Sequence, residues 1–344
     1  MFKLTAIAFI FSLIAGSSFT QNSNDTLQEL NPEHYRQDFT ILRKTFEETY
    51  PSLYRFKDKK QVDKLFDSCY NLINHSTNEV TFYATVKFVL SFLEDGHLSS
   101  SPSPKLRNMF HEQWKYFPLS LIFLKDKVYN FCENNLIPKG AEILSINNIS
   151  IQKIKDSLFQ YIVSDGKIET SKNYVLNNAF WFYYNLVFGQ QSAFEIEYKL
   201  LDGETKNTIM YPELRQQMQC NNYEPIKNER LLELTYPKQN VALLTIKTFS
   251  YRELTDLKND FVVFLDTSFY DIKSKKISKL IIDLRGNGGG ADVYGSFLYS
   301  YLTDKPFRYY AELETSEKKL TAADHPNLDV QKPNENNYKG QVFS

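Results

Sequence analysis

The run Lys279-Leu280-Ile281-Ile282-Asp283-Leu284, followed by Arg285-Gly286-Asn287-Gly288-Gly289-Gly290, restricts the folds open to this chain more than any other segment. A continuous apolar stretch of this kind is the pattern of a strand buried on both faces. Four glycines in five positions then lead into a helix predicted from about Val293 to Leu302. Glycine has no Cβ, so the backbone can take positive φ and approach a ligand closely. N–H groups at such a turn can converge on one spot, and the helix N-terminus adds partial positive charge there. A turn needed only for packing requires fewer glycines, so the segment reads as an oxyanion or phosphate cradle. The predicted strand Val241 to Ile246 and helix Thr255 to Asp271 come before it. Strand, helix, strand, helix implies an α/β core over 236–344, which ends on the opening of another strand at Gly340-Gln341-Val342.

Three further regions precede this core. Phe39, Leu42, Phe46 and Tyr50 recur at helical spacing before Pro51. Val62, Leu65, Phe66 and Cys69 form a second stripe, and Phe82, Val86, Leu90 and Leu93 a third. Residues 31–112 therefore read as a helical cap ending in Glu94-Asp95-Gly96-His97-Leu98 and a Ser- and Pro-rich loop, Ser99 to Pro104. Residues 113–212 change to a β-rich pattern. Leu119 to Leu124 and Val128 to Phe131 pair about an Asp126-Lys127 turn, and Ala141 to Ile146 runs into Asn147-Asn148. A helix is expected at Ile154 to Ile162, and the aromatic stretch Tyr174 to Phe188 reads as a second, buried one. Two strands about Asp202-Gly203 close the region, and Gln216 to Arg230 reads as a linker.

The chain begins with a short cationic start, Met1-Phe2-Lys3, an apolar run from Leu4 to Ala15, and small residues up to Thr20. That is the layout of a secretory signal peptide over 1–20, too short to span a bilayer comfortably. Export to the periplasm or medium is expected, with no stable membrane insertion after cleavage. Lys+Arg 40 against Asp+Glu 41 leaves a formal charge of -1, which gives no field for nucleic acid. Cys69, Cys132 and Cys220 are far apart and odd in number, so three isolated thiols are expected, with one disulfide after export as the alternative. No spacing suits a metal, and no cofactor is expected.

Gly286-x-Gly288-x-x-Ala291 also fits a loose dinucleotide fingerprint, which expects an acidic residue about 20 positions on, at a strand end. Asp304 and Glu312 lie in that region but follow no clear strand. The segment Leu280 to Gly290 instead resembles the core signature of the tail-specific (C-terminal-processing) serine proteases, tricorn-like branch. Leu93 to Leu98 resembles that family's Asp-Gly-His segment, Pro138 to Asn147 the end of its PDZ-like module, and Asn240 to Phe249 the strand opening its catalytic core.

The resemblance implies a helical cap, a PDZ-like module with a helical insertion, and an incomplete ClpP/crotonase-like α/β core. It implies a peptidase acting on protein or peptide substrates. His97 would be the general base of a serine nucleophile, since a neutral imidazole can take its proton near pH 7. A backbone N–H of Gly288 or Gly289 would supply half of an oxyanion hole. Asp283 and Arg285 would pair structurally, and His34, His75, His111 and His325 have no such context. The nucleophile would lie past residue 344, because Ser344 falls too early in its strand, so the chain is expected to bind without cleaving. A peptide would add to the edge of the strand Leu119 to Leu124. The competing readings are a non-catalytic binding protein for peptides or apolar ligands and, more remotely, a dinucleotide-binding oxidoreductase.

Overall fold

In a computed structural model, residues 31–218, 230–315 and 317–344 are described, and the chain divides into two units, 1–224 and 225–344. The expected signal peptide, Cys220 and most of the expected linker lie outside the described residues.

Among the described residues of the first unit, four helices come first, α1 (Pro32–Thr49), α2 (Lys59–Leu72), α3 (Glu79–Phe92) and α4 (Pro104–Glu112). Side-chain caps set their starts: Asp58 and Asn78 close capping boxes on α2 and α3, and Ser103 caps α4 just before its Pro104. The Ser- and Pro-rich stretch thus ends as a helix start, because proline at the first helical position sacrifices no hydrogen bond. The short strand β1 (Lys115–Tyr116) follows, then β2 (Leu121–Leu124), β3 (Lys127–Asn130), β4 (Glu142–Ile146) and β5 (Ile149–Ser150). Helices α5 (Ile151–Phe159) and α6 (Glu169–Phe188) precede β6 (Phe194–Lys199), β7 (Thr205–Met210) and β8 (Glu213–Leu214). A six-stranded antiparallel sheet runs β2-β3-β4-β6-β7, with β5 paired to β4, while β1 pairs with β8. Asn147 and Asn148 both take positive φ, 50° and 61°, which closes the β4–β5 hairpin as the sequence requires.

Helices and sheet share one hydrophobic core that runs from Tyr35 to Met218, without a break at residue 112. Helix α6 carries much of it. Its Phe180 ring lies 5.3 Å from Phe117 and 5.6 Å from Phe123. Asn177 on the same helix accepts the Phe123 N–H at 2.7 Å, so the edge strand β2 does not offer that N–H to a peptide. The expected docking edge is closed there. Cys132 is disulfide-bonded and Cys69 is free and buried, which corrects the expectation of three isolated thiols.

The second unit contains β9 (Leu232–Lys238), β10 (Val241–Ile246), α7 (Tyr251–Asp256), α8 (Phe261–Ser274), β11 (Lys279–Asp283), α9 (Asp292–Ser300), β12 (Phe307–Arg308), β13 (Val330–Gln331) and β14 (Gln341–Phe343). Its main sheet runs β14-β11-β10-β9; β10, β11 and β14 are parallel, and β9 is antiparallel to β10. This is the expected α/β core, with three corrections. The strand β9 starts before Tyr236. One expected helix is two, because Lys258 takes φ 52° and Asp260 restarts the helix by accepting from Val262 and Val263 N–H. Strand β11 is buried on one face only: Leu280 and Ile282 join the core with Leu265, Phe269, Leu298 and Tyr301, while Ile281 is 36% exposed.

Phe249 and Gly290 form a parallel bridge between the end of β10 and the glycine turn. Gly290 has φ 143°, and a Cβ there would stand 2.1 Å from the Phe249 carbonyl carbon. Gly286, at φ 77°, faces open space. Thermal or denaturant melts should therefore separate two alanine variants: Gly290→Ala should cost about 3 kcal/mol or more by parting two backbones. Gly286→Ala should cost roughly 1 kcal/mol for its left-handed φ alone. Equal losses would show that the close approach is not a constraint.

Candidate active site

The Asp-Gly-His segment forms where α3 ends. Leu93 closes the helix, Glu94 turns the chain with φ 56°, and its carboxylate is held by Lys57 at 2.6 Å. Gly166 N–H donates to the Glu94 carbonyl at 2.8 Å, and Gly96 N–H donates to Asp165 at 2.9 Å. A Cβ on Gly96 would meet Asp165 Oδ2 at 3.2 Å, so a small residue suits this position.

These ties present His97 on a fixed loop. Asp95 Oδ1 accepts the His97 backbone N–H at 2.9 Å and lies 3.2 Å from its Nδ1. The other Asp95 oxygen accepts the Tyr50 hydroxyl. Asp95 is 9% exposed and His97 is 90% exposed, so a buried carboxylate orients an open imidazole. Burial by itself would raise the Asp95 carboxyl; the Tyr50 hydroxyl and the His97 backbone and ring outweigh it and hold the group below its usual range. Burial, then the Asp95 carboxylate, pushes the Tyr50 phenol up, so it remains a donor at neutral pH. With Nδ1–H donated to Asp95, the Nε2 lone pair is the basic atom. It has no hydrogen-bond partner among the described residues.

Asp95 and Asp165 escaped assignment in the sequence, although the Asp at two positions before His97 was a usable signal. Asp95, His97 and Asp165 each offer one ligand atom within 4.8 Å of one another, a donor set that could hold a metal ion. Both carboxylates already accept protein hydrogen bonds. His325, by contrast, spends both ring nitrogens on structure: Nδ1 accepts the Asn327 N–H and Nε2 faces Asp292 at 3.2 Å.

The glycine turn belongs to the second unit. Gly289 N–H donates to Asn287 Oδ1 at 2.7 Å, and its carbonyl accepts the Phe249 N–H at 2.9 Å. Asn287 Nδ2 in turn donates to the Ile246 carbonyl at 3.1 Å. Of the two candidate donors, Gly288 keeps its N–H without a partner among the described residues, and Gly289 does not. Asp304 and Glu312 flank β12, which pairs with β13 outside the main sheet, so the acidic residue of a dinucleotide site is not in place.

Arg285 grips Asp283 through two charge-assisted bonds, 2.8 and 2.9 Å, and donates its backbone N–H to the same carboxylate. Those bonds pull the Asp283 carboxyl from 3.8 down to about 2. A depressed carboxyl stabilises the fold above its unfolded value, and this contribution is lost as pH falls from 3.8 towards 2. In a carbon-13 carboxyl titration, Arg285→Ala should return Asp283 most of the way to 3.8. An unchanged midpoint would mean that the guanidinium does not hold it.

Residues 240–343 match peptidase family S41. Among solved structures, a CPAF mutant aligns with TM-score 0.54 and 15% identity over 83% of this chain and 63% of that one. Mature CPAF complexed with lactacystin aligns with TM-score 0.51 and 14% identity over 80% and 60%. At such identities the likeness is one of fold, and the chain spans about three-fifths of the length of these structures. No curated protein matches the chain. The glycine turn Gly286 to Gly290 lies inside the region that is similar to peptidase family S41.

Proposed function

We propose that this chain bears the general base and an oxyanion donor of an exported serine-type peptidase. The observation that carries the reading is the Tyr50–Asp95–His97 relay, which leaves Nε2 of an exposed imidazole free on a rigid loop. In that role Nε2 takes the proton of a serine hydroxyl as it attacks a peptide carbonyl, and returns it to the leaving amine. Asp95 keeps the Nδ1–H tautomer and balances the imidazolium that forms. Gly288 N–H donates to the carbonyl oxygen as it gains charge, a contribution of roughly 3–4 kcal/mol for donors of this kind. No serine of this chain is assigned as the nucleophile.

Substrates are proteins or peptides, a reading supported by the similarity of residues 240–343 to peptidase family S41, and the antiparallel sheet with α5 and α6 is read as the PDZ-like module. Export rests on the cationic, apolar and small-residue layout of residues 1–20. The disulfide at Cys132 supports it, because such bonds persist in oxidising compartments.

The test is proteolysis of an unfolded protein substrate by the full-length protein. His97→Ala should lower kcat/KM by about 10³-fold or more with an unchanged melting temperature, since the side chain is exposed. Asp95→Asn should lower kcat at least about tenfold by releasing the tautomer. Lactacystin, with which mature CPAF is complexed, is a first inhibitor to try. Activity of His97→Ala within twofold of the parent would remove the assignment.

A further inference from the structure

Helix α3, which ends at the Asp-Gly-His segment, carries Lys87 on its inner side. The Lys87 ammonium sits 5.3 Å from the Tyr83 ring and 5.5 Å from the Tyr183 ring. Among the described residues it has neither an ion-pair partner nor a hydrogen-bond acceptor. Burial pushes its pKa down, and no neighbouring charge offsets the effect. Aromatic faces attract a cation but do not replace the oxygens it loses from water.

Lys87 lines a cavity of about 180 Å³ together with Leu98, Ser100 and Tyr161. Two more polar groups in this lining have no partner: the Tyr161 hydroxyl and the Ser100 hydroxyl are both buried and unsatisfied. Tyr161 is only 2% exposed. Buried hydroxyls almost always find a partner, so three unmet donors around one cavity call for an acceptor. Leu98 to Ser100 directly follow His97 in the chain, which puts the cavity beside the proposed base.

We infer that this cavity is a carboxylate-binding subsite, in which Lys87, Tyr161 and Ser100 receive the acidic group of a peptide. Only the identity of the bearer, a peptide substrate, rests on the proposed peptidase function. The carboxylate supplies the missing counter-charge and accepts from both hydroxyls. The aromatic walls hold the aliphatic stem of an acidic side chain.

Binding to the 344-residue chain is measured by calorimetry or NMR without turnover, so a hydrolytically silent chain does not affect the outcome. The probes are acetyl-glutamate amide, acetyl-glutamine amide and acetyl-alanine with a free carboxylate. The two acids distinguish a side-chain from a terminal carboxylate. At least one acid should bind, with the neutral glutamine probe at least about tenfold weaker, the usual scale for losing a charge-assisted bond. Lys87→Met should weaken the acid by about tenfold or more while melting at or above the parent temperature, because it removes an uncompensated charge. If Lys87→Met does not fold, Tyr161→Phe and Ser100→Ala provide the same reading, each with a severalfold loss. Equal binding of acid and amide, acid binding untouched in the variants, or no binding of either acid would overturn the inference and leave a cavity that holds only water.

Discussion

The contact on which the second unit depends is the approach of two backbones at Phe249 and Gly290. Phe249 N–H donates to the Gly289 carbonyl, and the Phe249 carbonyl accepts the Ala291 N–H at 2.8 Å. The end of β10 is thus stitched to the glycine turn on both sides of one residue. Asn287 adds a tie to Ile246, and Lys247 donates to the Arg285 carbonyl at 3.0 Å. A loop of four glycines would ordinarily be the least ordered part of a chain, since glycine loses most entropy on ordering. Here the ordering comes from β10, so one N–H can stay unpaired without the turn collapsing onto it. An oxyanion donor needs that combination of fixed position and unmet bonding capacity.

His97 and His325 show why a histidine's neighbours matter more than its type. Both sit beside a carboxylate that also accepts a tyrosine hydroxyl, Tyr50 in one case and Tyr310 in the other. His325 uses its second nitrogen on a backbone N–H and so becomes a strut. His97 leaves its second nitrogen open to solvent. The same three residue types thus build a structural tie and a candidate proton acceptor.

Much of this was legible from periodicity. The buried residues of α2 are the expected stripe Val62, Leu65, Phe66 and Cys69, and β10 spans the expected Val241 to Ile246. Both segments carry their own pattern, so tertiary context had little to override. The errors lie where context decides. Whether β11 is covered on one face or two depends on where α8 and α9 pack, which a run of apolar residues cannot say. Strand β9 escaped notice because Pro237 and its polar neighbours suit an edge and not a core strand. At the site, His97 and the glycine turn were found through their unusual local composition. Asp95 carries a local signal in its spacing to His97, whereas the significance of Tyr50 and Lys87 comes from neighbours distant in sequence or from an absence of partners, and neither leaves a local trace.

Asn177 has a consequence for how this protein survives its own synthesis. An open sheet edge is a template for any extended chain, most of all for a second copy still unfolded. By accepting the Phe123 N–H, the Asn177 amide imitates the next strand at the point where β2 would otherwise recruit one. Helix α6 therefore fills the aromatic core and also acts as a built-in terminator of sheet growth. Its loss would be felt first as self-association at high concentration, before any change in the fold of the isolated chain.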